Sequence, residues 1–362
     1  MSLQIQELLR SGKSIADLAE VYDLKVDETD DLVLLNYGIK TPRNLALSRE
    51  CRGLILEKGS WNLVALPFFR FFNADEFYAA DIDWETAFAN EKLDGSLVTV
   101  FNYKDKWRIA TRGKIDAVGQ LPCPTGKYNT FADLIEELIA GKIFKSSESS
   151  FRDLYYVFEL VSPLNRIVTR YDTPQLYLLT VKSGLEELPD EVIDSLAKEL
   201  GFPRPKRYSC SSLKQVNQIM QDLRPDEEGF VVADAKRNRI KVKKLSYVTM
   251  HKMAGNGNPD FVELIVTGED EEFVSYFPEY KDAINDLKET LDTILHETES
   301  LWHLAKDIEE QKQFALSIKE SPCAWLLFMM RKSGYAGNVF YFWETIDVDK
   351  RVKFVKTLIN SK

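Results

Sequence analysis

The sequence predicts an α+β chain, with an antiparallel-sheet domain over residues 1–253 that carries a small helical cover at its start, followed by an all-helical domain over 254–362. Three observations carry this prediction. Between residues 32 and 111, and again between 154 and 243, short runs rich in β-branched and aromatic residues alternate with Gly, Asn, Asp or Lys turns. At Ala254-Gly255-Asn256-Gly257-Asn258-Pro259 the composition changes to that of a linker. Beyond it, Ile284, Leu287, Leu291, Ile294, Leu295, Leu301 and Leu304 recur at helical spacing. A length of 362 residues fits two domains with ample core.

In chain order, residues 2–21 predict two short helices broken at Gly12, with Ser14 capping the second. Strands are expected over 32–37, 52–57, 63–66, 97–103 and 107–111, joined as an antiparallel meander. An irregular section, 113–150, holds one helix at 130–140 ending near Gly141. Strands resume at 154–160 and 176–182. Two helices follow, one opening at Pro189-Asp190 and stopping at Gly201, the other capped by Ser211-Ser212 and running to Leu223. A hairpin comes next, 229–233 and 239–243, whose second strand alternates so that Arg239, Lys241 and Lys243 share one face. After the linker, helices are expected over 280–304, 309–319, 322–332 and 348–359.

The formal net charge of −10 argues against a protein basic all over. Its distribution is uneven. From Gly255 onward 12 Lys and Arg face 20 Asp and Glu, a net of −8, which leaves −2 for the larger front part. There Lys236, Arg237, Arg239, Lys241, Lys243, Lys244 and Lys252 crowd one short stretch, a local surface able to hold phosphates. Cys51, Cys123, Cys210 and Cys323 are scattered with no Cys-x-x-Cys pair, so reduced thiols are expected and no zinc site is indicated. Three late histidines do not make a metal cage or a triad. The N-terminus has no basic start followed by an apolar stretch, and the longest apolar run, 324–330, is far short of a membrane span. A cytoplasmic setting is expected.

The chemistry centres on Glu91-Lys92-Leu93-Asp94-Gly95-Ser96, ahead of the apolar strand 97–101. The string alone fits two readings. Asp-Gly is a favoured hairpin pair, while a lysine at the mouth of a sheet can be a nucleophile if burial or neighbouring cations lower its pKa. Five further clusters occur in strand context: Arg49-Glu50-Cys51-Arg52-Gly53, Phe69-Arg70-Phe71-Phe72-Asn73, Thr111-Arg112-Gly113, Val157-Phe158-Glu159-Leu160-Val161, and Glu227-Glu228-Gly229 with Lys241-Val242-Lys243. A lysine attacking phosphorus needs cations to lower its own pKa and to neutralise phosphoryl oxygens, which Lys241 and Lys243 are expected to supply. Arg70 and Arg112 are candidates for a departing pyrophosphate. Glu159 and Glu228 can hold a ribose hydroxyl or the hydration shell of Mg²⁺, which favours oxygen ligands. Phe68, Phe69, Phe71 and Phe72 are expected in the core rather than stacked on bases.

This ordered set resembles the covalent nucleotidyltransferase superfamily of ATP-dependent ligases and capping guanylyltransferases, and more narrowly the RNA ligase 1 family of T-even phages. Glu50-Cys51-Arg52-Gly53, Phe71-Phe72-Asn73 and the string from Phe158 through Glu159-Leu160-Val161-Ser162-Pro163-Leu164-Asn165-Arg166-Ile167 to Val168 carry the narrower match, which spans roughly residues 45–250. The resemblance implies an ATP-grasp-like ligase domain in which Lys92 takes AMP from ATP, with Mg²⁺ or Mn²⁺ as the metal. It implies that Glu91, Arg52 and Glu159 contact the nucleoside, that Arg70 and Arg112 lie near the triphosphate, and that Lys241 and Lys243 clamp the α-phosphate. Glu228 would bind metal through water, and Tyr247 would join the site. The family has lysine where this chain has Arg70 and Arg112. Its acidic pair in the helical domain aligns loosely with Glu271-Glu272, a second metal position.

The implied reaction joins RNA 5′-phosphate and 3′-hydroxyl ends, with the tRNA anticodon loop as the family's repair target, by a monomeric enzyme of a phage or virus in the host cytoplasm. DNA ligases and capping enzymes continue after Lys-x-Lys into a small all-β domain, whereas this chain turns helical. A catalytically silent RNA-binding relative would be free to lose Lys92, Asp94, Gly95, Glu228, Lys241 and Lys243, all of which are present.

Overall fold

The computed structural model describes residues 2–38, 40–142, 153–255 and 259–360. Part of the expected irregular section (143–150) and of the expected linker (256–258) lies outside the described residues. Chain contacts divide the protein into two compact units, Met1–His251 and Lys252–Lys362.

The first unit is built from strands β1 (Leu24–Glu28), β2 (Leu32–Tyr37), β3 (Arg52–Glu57), β4 (Leu63–Ala65), β5 (Phe72–Asn73), β6 (Phe88–Glu91), β7 (Ser96–Tyr103), β8 (Lys106–Thr111), β9 (Tyr155–Val161), β10 (Gln175–Ser183), β11 (Glu186–Glu187), β12 (Arg207–Ser209), β13 (Gly229–Ala233) and β14 (Arg239–Lys243). The expected single meander is instead three sheets, ordered β1-β2-β3-β4, β11-β10-β9-β7-β8 and β12-β6-β13-β14-β5. Pairing is antiparallel except between β14 and β5, where Ile240 faces Phe72 and Lys241 faces Asn73 in parallel. The strands unforeseen in the sequence are short or polar. β6, Phe-Ala-Asn-Glu, has no β-branched residue and is a strand because β12 and β13 hydrogen-bond to its two edges.

Side-chain alternation along each strand assigns its two faces. On the first sheet Val33, Leu35, Leu54 and Leu56 pack under the helices Gln4–Arg10 and Ile15–Tyr22. Leu32, Leu34 and Ile55 turn the other way, onto Leu97, Phe101 and Val157 of the second sheet. The far face of that sheet, with Val98, Val100, Phe158 and Leu178, is covered by helices Phe131–Ile139 and Asp190–Leu200. A sheet covered on both faces reads as near-continuous apolar sequence, as β2 and β9 do. The third sheet differs. Ala89, Phe230, Val232, Ile240 and Val242 pack against Val216 and Met220, which leaves the alternate residues Asn90, Val231, Lys241 and Lys243 facing a cavity.

The second unit is helical: Phe261–Thr267, Asp270–Tyr276, Lys281–Ala305, Gln311–Ile318, Ala324–Ser333, Val339–Glu344 and Val348–Asn360. Its core gathers Leu291, Ile294, Trp302, Phe314, Leu327 and Met330, the positions that the 3.6-residue period selects. Among the described residues no helix is long and apolar enough to cross a membrane.

Candidate active site

Lys92 follows β6 directly, and its N–H donates to the carbonyl of Gly229 at 2.8 Å. Two residues on, Asp94 is buried and its carboxylate is saturated. Oδ2 accepts the N–H groups of Val168 and Thr169, each at 2.8 Å, and Oδ1 accepts the Tyr247 hydroxyl at 2.7 Å. The Asp94 N–H donates to the Tyr171 hydroxyl at 3.1 Å. Gly95 is demanded by space, because a Cβ there would lie 2.2 Å from the Leu160 carbonyl of β9. Asp94-Gly95 is therefore a clamp that presses the lysine loop onto the second sheet, and the free hairpin turn left open by the sequence is ruled out. Asn165 adds to it, donating through Nδ2 to Ser96 Oγ at 3.1 Å and to the Leu160 carbonyl at 3.2 Å.

The cavity over the third sheet measures about 270 Å³ and is lined by Glu91, Lys92, Arg52, Arg112, Glu159, Lys241 and Lys243, with Tyr37, Phe68, Phe71 and Phe88 as apolar wall. Glu228 does not line the cavity but is buried behind two of its lysines, between their ammonium groups. Lys92 Nζ is 2.5 Å from its Oε2 and Lys243 Nζ is 2.8 Å from its Oε1. The close approach of β14 depends on the next residue, Gly229, whose φ is 130° and whose Cβ would lie 2.2 Å from the Val242 carbonyl.

This arrangement corrects the expected electrostatics. Burial pulls the Lys92 ammonium down, but Glu228, Glu159 and Asp94 outweigh it and hold its pKa above the ordinary lysine value. Lys241 and Lys243 do not make Lys92 a neutral amine in the ligand-free protein, because Lys243 spends its charge on Glu228. The lowered lysine is Lys241, pushed down to about 7 by burial and then by Arg52, Lys92 and Lys243. Glu228 is pushed up by burial, but the Lys92 and Lys243 ammoniums outweigh that and hold it below the ordinary carboxylate value. Glu159 is raised to about 7, burial outweighing the attraction of Lys92 and Arg52. Burial also raises Glu91, against the opposing charge of Lys206.

Arg52 is half-buried, with its guanidinium carbon 5.4 Å from the Phe71 ring and 5.9 Å from that of Phe68. Its Nη1 has no hydrogen-bond partner among the described residues, so it holds an unmet donor beside Glu159. Arg112 lies 5.9 Å from the Tyr37 ring on the cavity side. Arg70 is placed elsewhere. It stacks at 4.1 Å over Tyr37 and lines a neighbouring groove rather than the cavity of Lys92. Tyr247 is buried, bonds Asp94 and lies under the Lys243 ammonium without lining the cavity. Of the expected second metal pair, Glu271 is exposed on its helix, and no cluster of three or more His, Cys, Asp or Glu suited to a metal occurs among the described residues. The side chain of Glu272 lies outside the described residues.

A family model described as RNA ligase, of the T4 type 1 class, matches residues 50–256. The chain belongs to the T4 RNA ligase 1 family. Among its relatives is a protein of the Autographa californica nuclear polyhedrosis virus, provisionally described as a bifunctional polynucleotide kinase/RNA ligase, 28% identical over 99% of this chain and 53% of its own length. The chain thus spans about half of that relative. An RNA ligase of Rhodothermus phage RM378 is 25% identical over 80% of this chain and 82% of its own length. Among solved structures, an archaeal ATP-dependent RNA ligase aligns over 91% of this chain and 81% of its own, at 14% identity and a TM-score of 0.46.

The family's motif residues Lys92, Arg52, Arg112, Glu159, Lys241 and Lys243 thus line the cavity, and Glu228 is paired with two of them, Lys92 and Lys243. The clamp residues Tyr171, Thr169 and Asn165 were not singled out by role in the sequence. The string ending at Val168 contains Asn165 and Val168, which hold the lysine loop together with the next residue, Thr169, while Thr169 and Tyr171 lie just beyond it.

Proposed function

We propose that the chain is an ATP-dependent RNA ligase in which Lys92 carries AMP between ATP and a 5′-phosphorylated RNA end. The observation that carries this reading is the Lys92–Glu228–Lys243 array, two lysines on one buried carboxylate, at one cavity with Arg52 and Lys241. In the first transfer the Lys92 amine, having given up a proton, attacks the α-phosphorus of ATP. A P–N bond forms, the P–O bond to the β-phosphate breaks, and pyrophosphate leaves. Glu228, 2.5 Å from Nζ, is the group next to the departing proton. Lys241 and Lys243 stand on β14, one strand beyond β13, to offset phosphoryl charge, and the unmet Arg52 donor beside Glu159 suits a ribose hydroxyl. Arg112 supplies a further cation at the cavity wall.

The carboxylates suit a hydrated Mg²⁺ or Mn²⁺, which keeps several waters and needs only one or two protein carboxylates beside substrate phosphates. Glu228 would hold it through water, and the ion would supply charge neutralisation at the phosphates. In the second transfer AMP passes from Lys92 to the RNA 5′-phosphate, and in the third a 3′-hydroxyl attacks that phosphate and releases AMP. Repair of broken tRNA anticodon loops, in a host cytoplasm and by a monomer, is the setting we assign.

Incubation with α-labelled ATP or GTP and Mg²⁺, followed by a denaturing gel, tests this. A labelled adduct is expected with ATP, none with GTP, and none for Lys92→Ala. An intact protein that takes no label from ATP overturns the proposal.

A further inference from the structure

Beside the Lys92 cavity runs an open groove of about 1230 Å³, with Phe71, Arg237 and Arg239 in the walls of both. Its floor carries an aromatic series leading from core to solvent. Phe72 is buried, Tyr78 lies 5.8 Å from it, and Phe77 meets Tyr78 edge-on at 5.1 Å. Phe77 is 93% exposed and Phe69, on the same groove, is 43% exposed. The second value corrects the expectation that Phe69 belongs to the core. Leaving a phenylalanine almost wholly in water forgoes the stabilisation its burial would give, and here the exposed ring stands among cations.

Arg49, Arg70 and Lys236 line the groove and make no ion pair among the described residues. Two of the acidic groups in the wall are already engaged. Glu50 accepts the N–H groups of Gln4 and Ile5, and Glu187 holds Arg239 at 2.6 Å. With Asp81 and Glu186 the wall holds four carboxylates against six cations, since Lys182, Arg237 and Arg239 join Arg49, Arg70 and Lys236, so its formal charge is positive. Aromatic faces interleaved with unpaired cations, in a groove that shares wall residues with the Lys92 cavity, match what a single strand requires: stacking for its bases and counter-charge for its backbone.

We infer that this groove receives a single-stranded RNA end, with Phe77 and Phe69 stacking bases and Lys236 and Arg49 meeting phosphates, and delivers its terminus to the Lys92 cavity. The inference rests on the ligase reading of that cavity. Stacking is indifferent to base identity, so the groove would bind strands of different sequence alike.

The test compares the full chain with Phe77→Ala and Lys236→Glu by fluorescence anisotropy on a short labelled oligoribonucleotide, with labelled heparin as an anion lacking bases. Phe77→Ala removes a ring that packs only at the surface, so the fold is kept, and lysyl-AMP formation from ATP, measured on the same preparation, is expected to match the parent. RNA affinity is expected to fall about tenfold for one lost stacking partner, with heparin affinity unchanged. Lys236→Glu is expected to weaken both ligands and to flatten the salt dependence by about one charge. Unchanged RNA affinity in Phe77→Ala, or an equal loss toward heparin, overturns the inference. A parent that binds RNA through Phe77 yet takes no AMP overturns the ligase reading and leaves the groove standing.

Discussion

Lys92 Nζ and Glu228 Oε2 lie 2.5 Å apart, and the second carboxylate oxygen is held by Lys243. One buried anion therefore serves two ammoniums, and it is the reason that the proposed nucleophile is protonated before ATP arrives. The sign of its removal follows. Without the carboxylate, the charged form of Lys92 loses its largest favourable partner, so its pKa falls. In Glu228→Gln the pH midpoint of single-turnover AMP transfer to Lys92 should move toward acid, while the plateau rate falls because the lost anion also orders Lys243. A midpoint that stays in place would show that another group holds the Lys92 proton.

Lys241 gives a second pH-linked outcome. Its folded pKa is about 7, against an ordinary 10.5, with burial the main cause and Arg52, Lys92 and Lys243 adding to it. At pH 8 the free protein holds most of this side chain neutral. A bound triphosphate favours the ammonium and raises the pKa, so binding takes up a proton. Calorimetry of ATP binding at pH 8 in buffers of different ionisation enthalpy should report an uptake of up to about one proton, smaller at pH 6, where Lys241 is already charged. Lys241→Met should abolish the uptake. Proton release on binding would contradict the assignment.

Much of this was legible in the sequence and some was not, for reasons visible in single residues. The β13–β14 hairpin and the face shared by Arg239, Lys241 and Lys243 follow from strict alternation. The motif order singled out Lys92, Glu159 and Glu228, which the fold brings together from the end of β6, the interior of β9 and the start of β13. Sheet assignment was not legible, since β5 and β12 are two and three residues long and exist by pairing with partners far along the chain. The sign of the Lys92 shift was hidden as well. Counting cations nearby predicts a lowered pKa, and only the coordinates show that Lys243 is turned to Glu228. Arg70 was misplaced for a similar reason, because an adjacent position on the chain does not reveal that its guanidinium stacks on Tyr37 in the next groove.

Tyr247 tests the clamp apart from the chemistry. Its hydroxyl is 2.7 Å from Asp94 Oδ1, buried, and a hydrogen bond to a charged acceptor contributes about 1.5–3 kcal/mol. Tyr247→Phe keeps the ring and removes only that donor. The urea midpoint of the full chain should drop by an amount equivalent to about 2 kcal/mol, and AMP transfer should slow, as Asp94 is then held only by the Val168 and Thr169 N–H groups. A variant with parental stability would show that the hydroxyl finds another partner.

The sharpest demand of the fold on the site is at Gly95. Its backbone is in a conformation open to other residues, yet a Cβ would meet the Leu160 carbonyl at 2.2 Å and Glu159 Cγ at 3.2 Å. A backbone carbonyl of β9 cannot move aside as the tip of a long side chain can, because that strand is paired on both edges, with β7 and β10. The lysine loop has to lift instead. Overpacking of this kind costs about 1–3 kcal/mol, and a displacement of about 1 Å at a reacting group can lower the rate 100-fold. Gly95→Ala should therefore leave a folded protein, somewhat less stable, whose AMP transfer falls by about two orders of magnitude. Gly119→Ala supplies the comparison, since a Cβ there meets only the Phe131 Cδ2 at 3.8 Å, an ordinary contact, and its activity and stability should match the parent. Equal activity in the two alanine variants would mean that the loop relaxes without moving Lys92, and the close approach to β9 would then have no bearing on the chemistry.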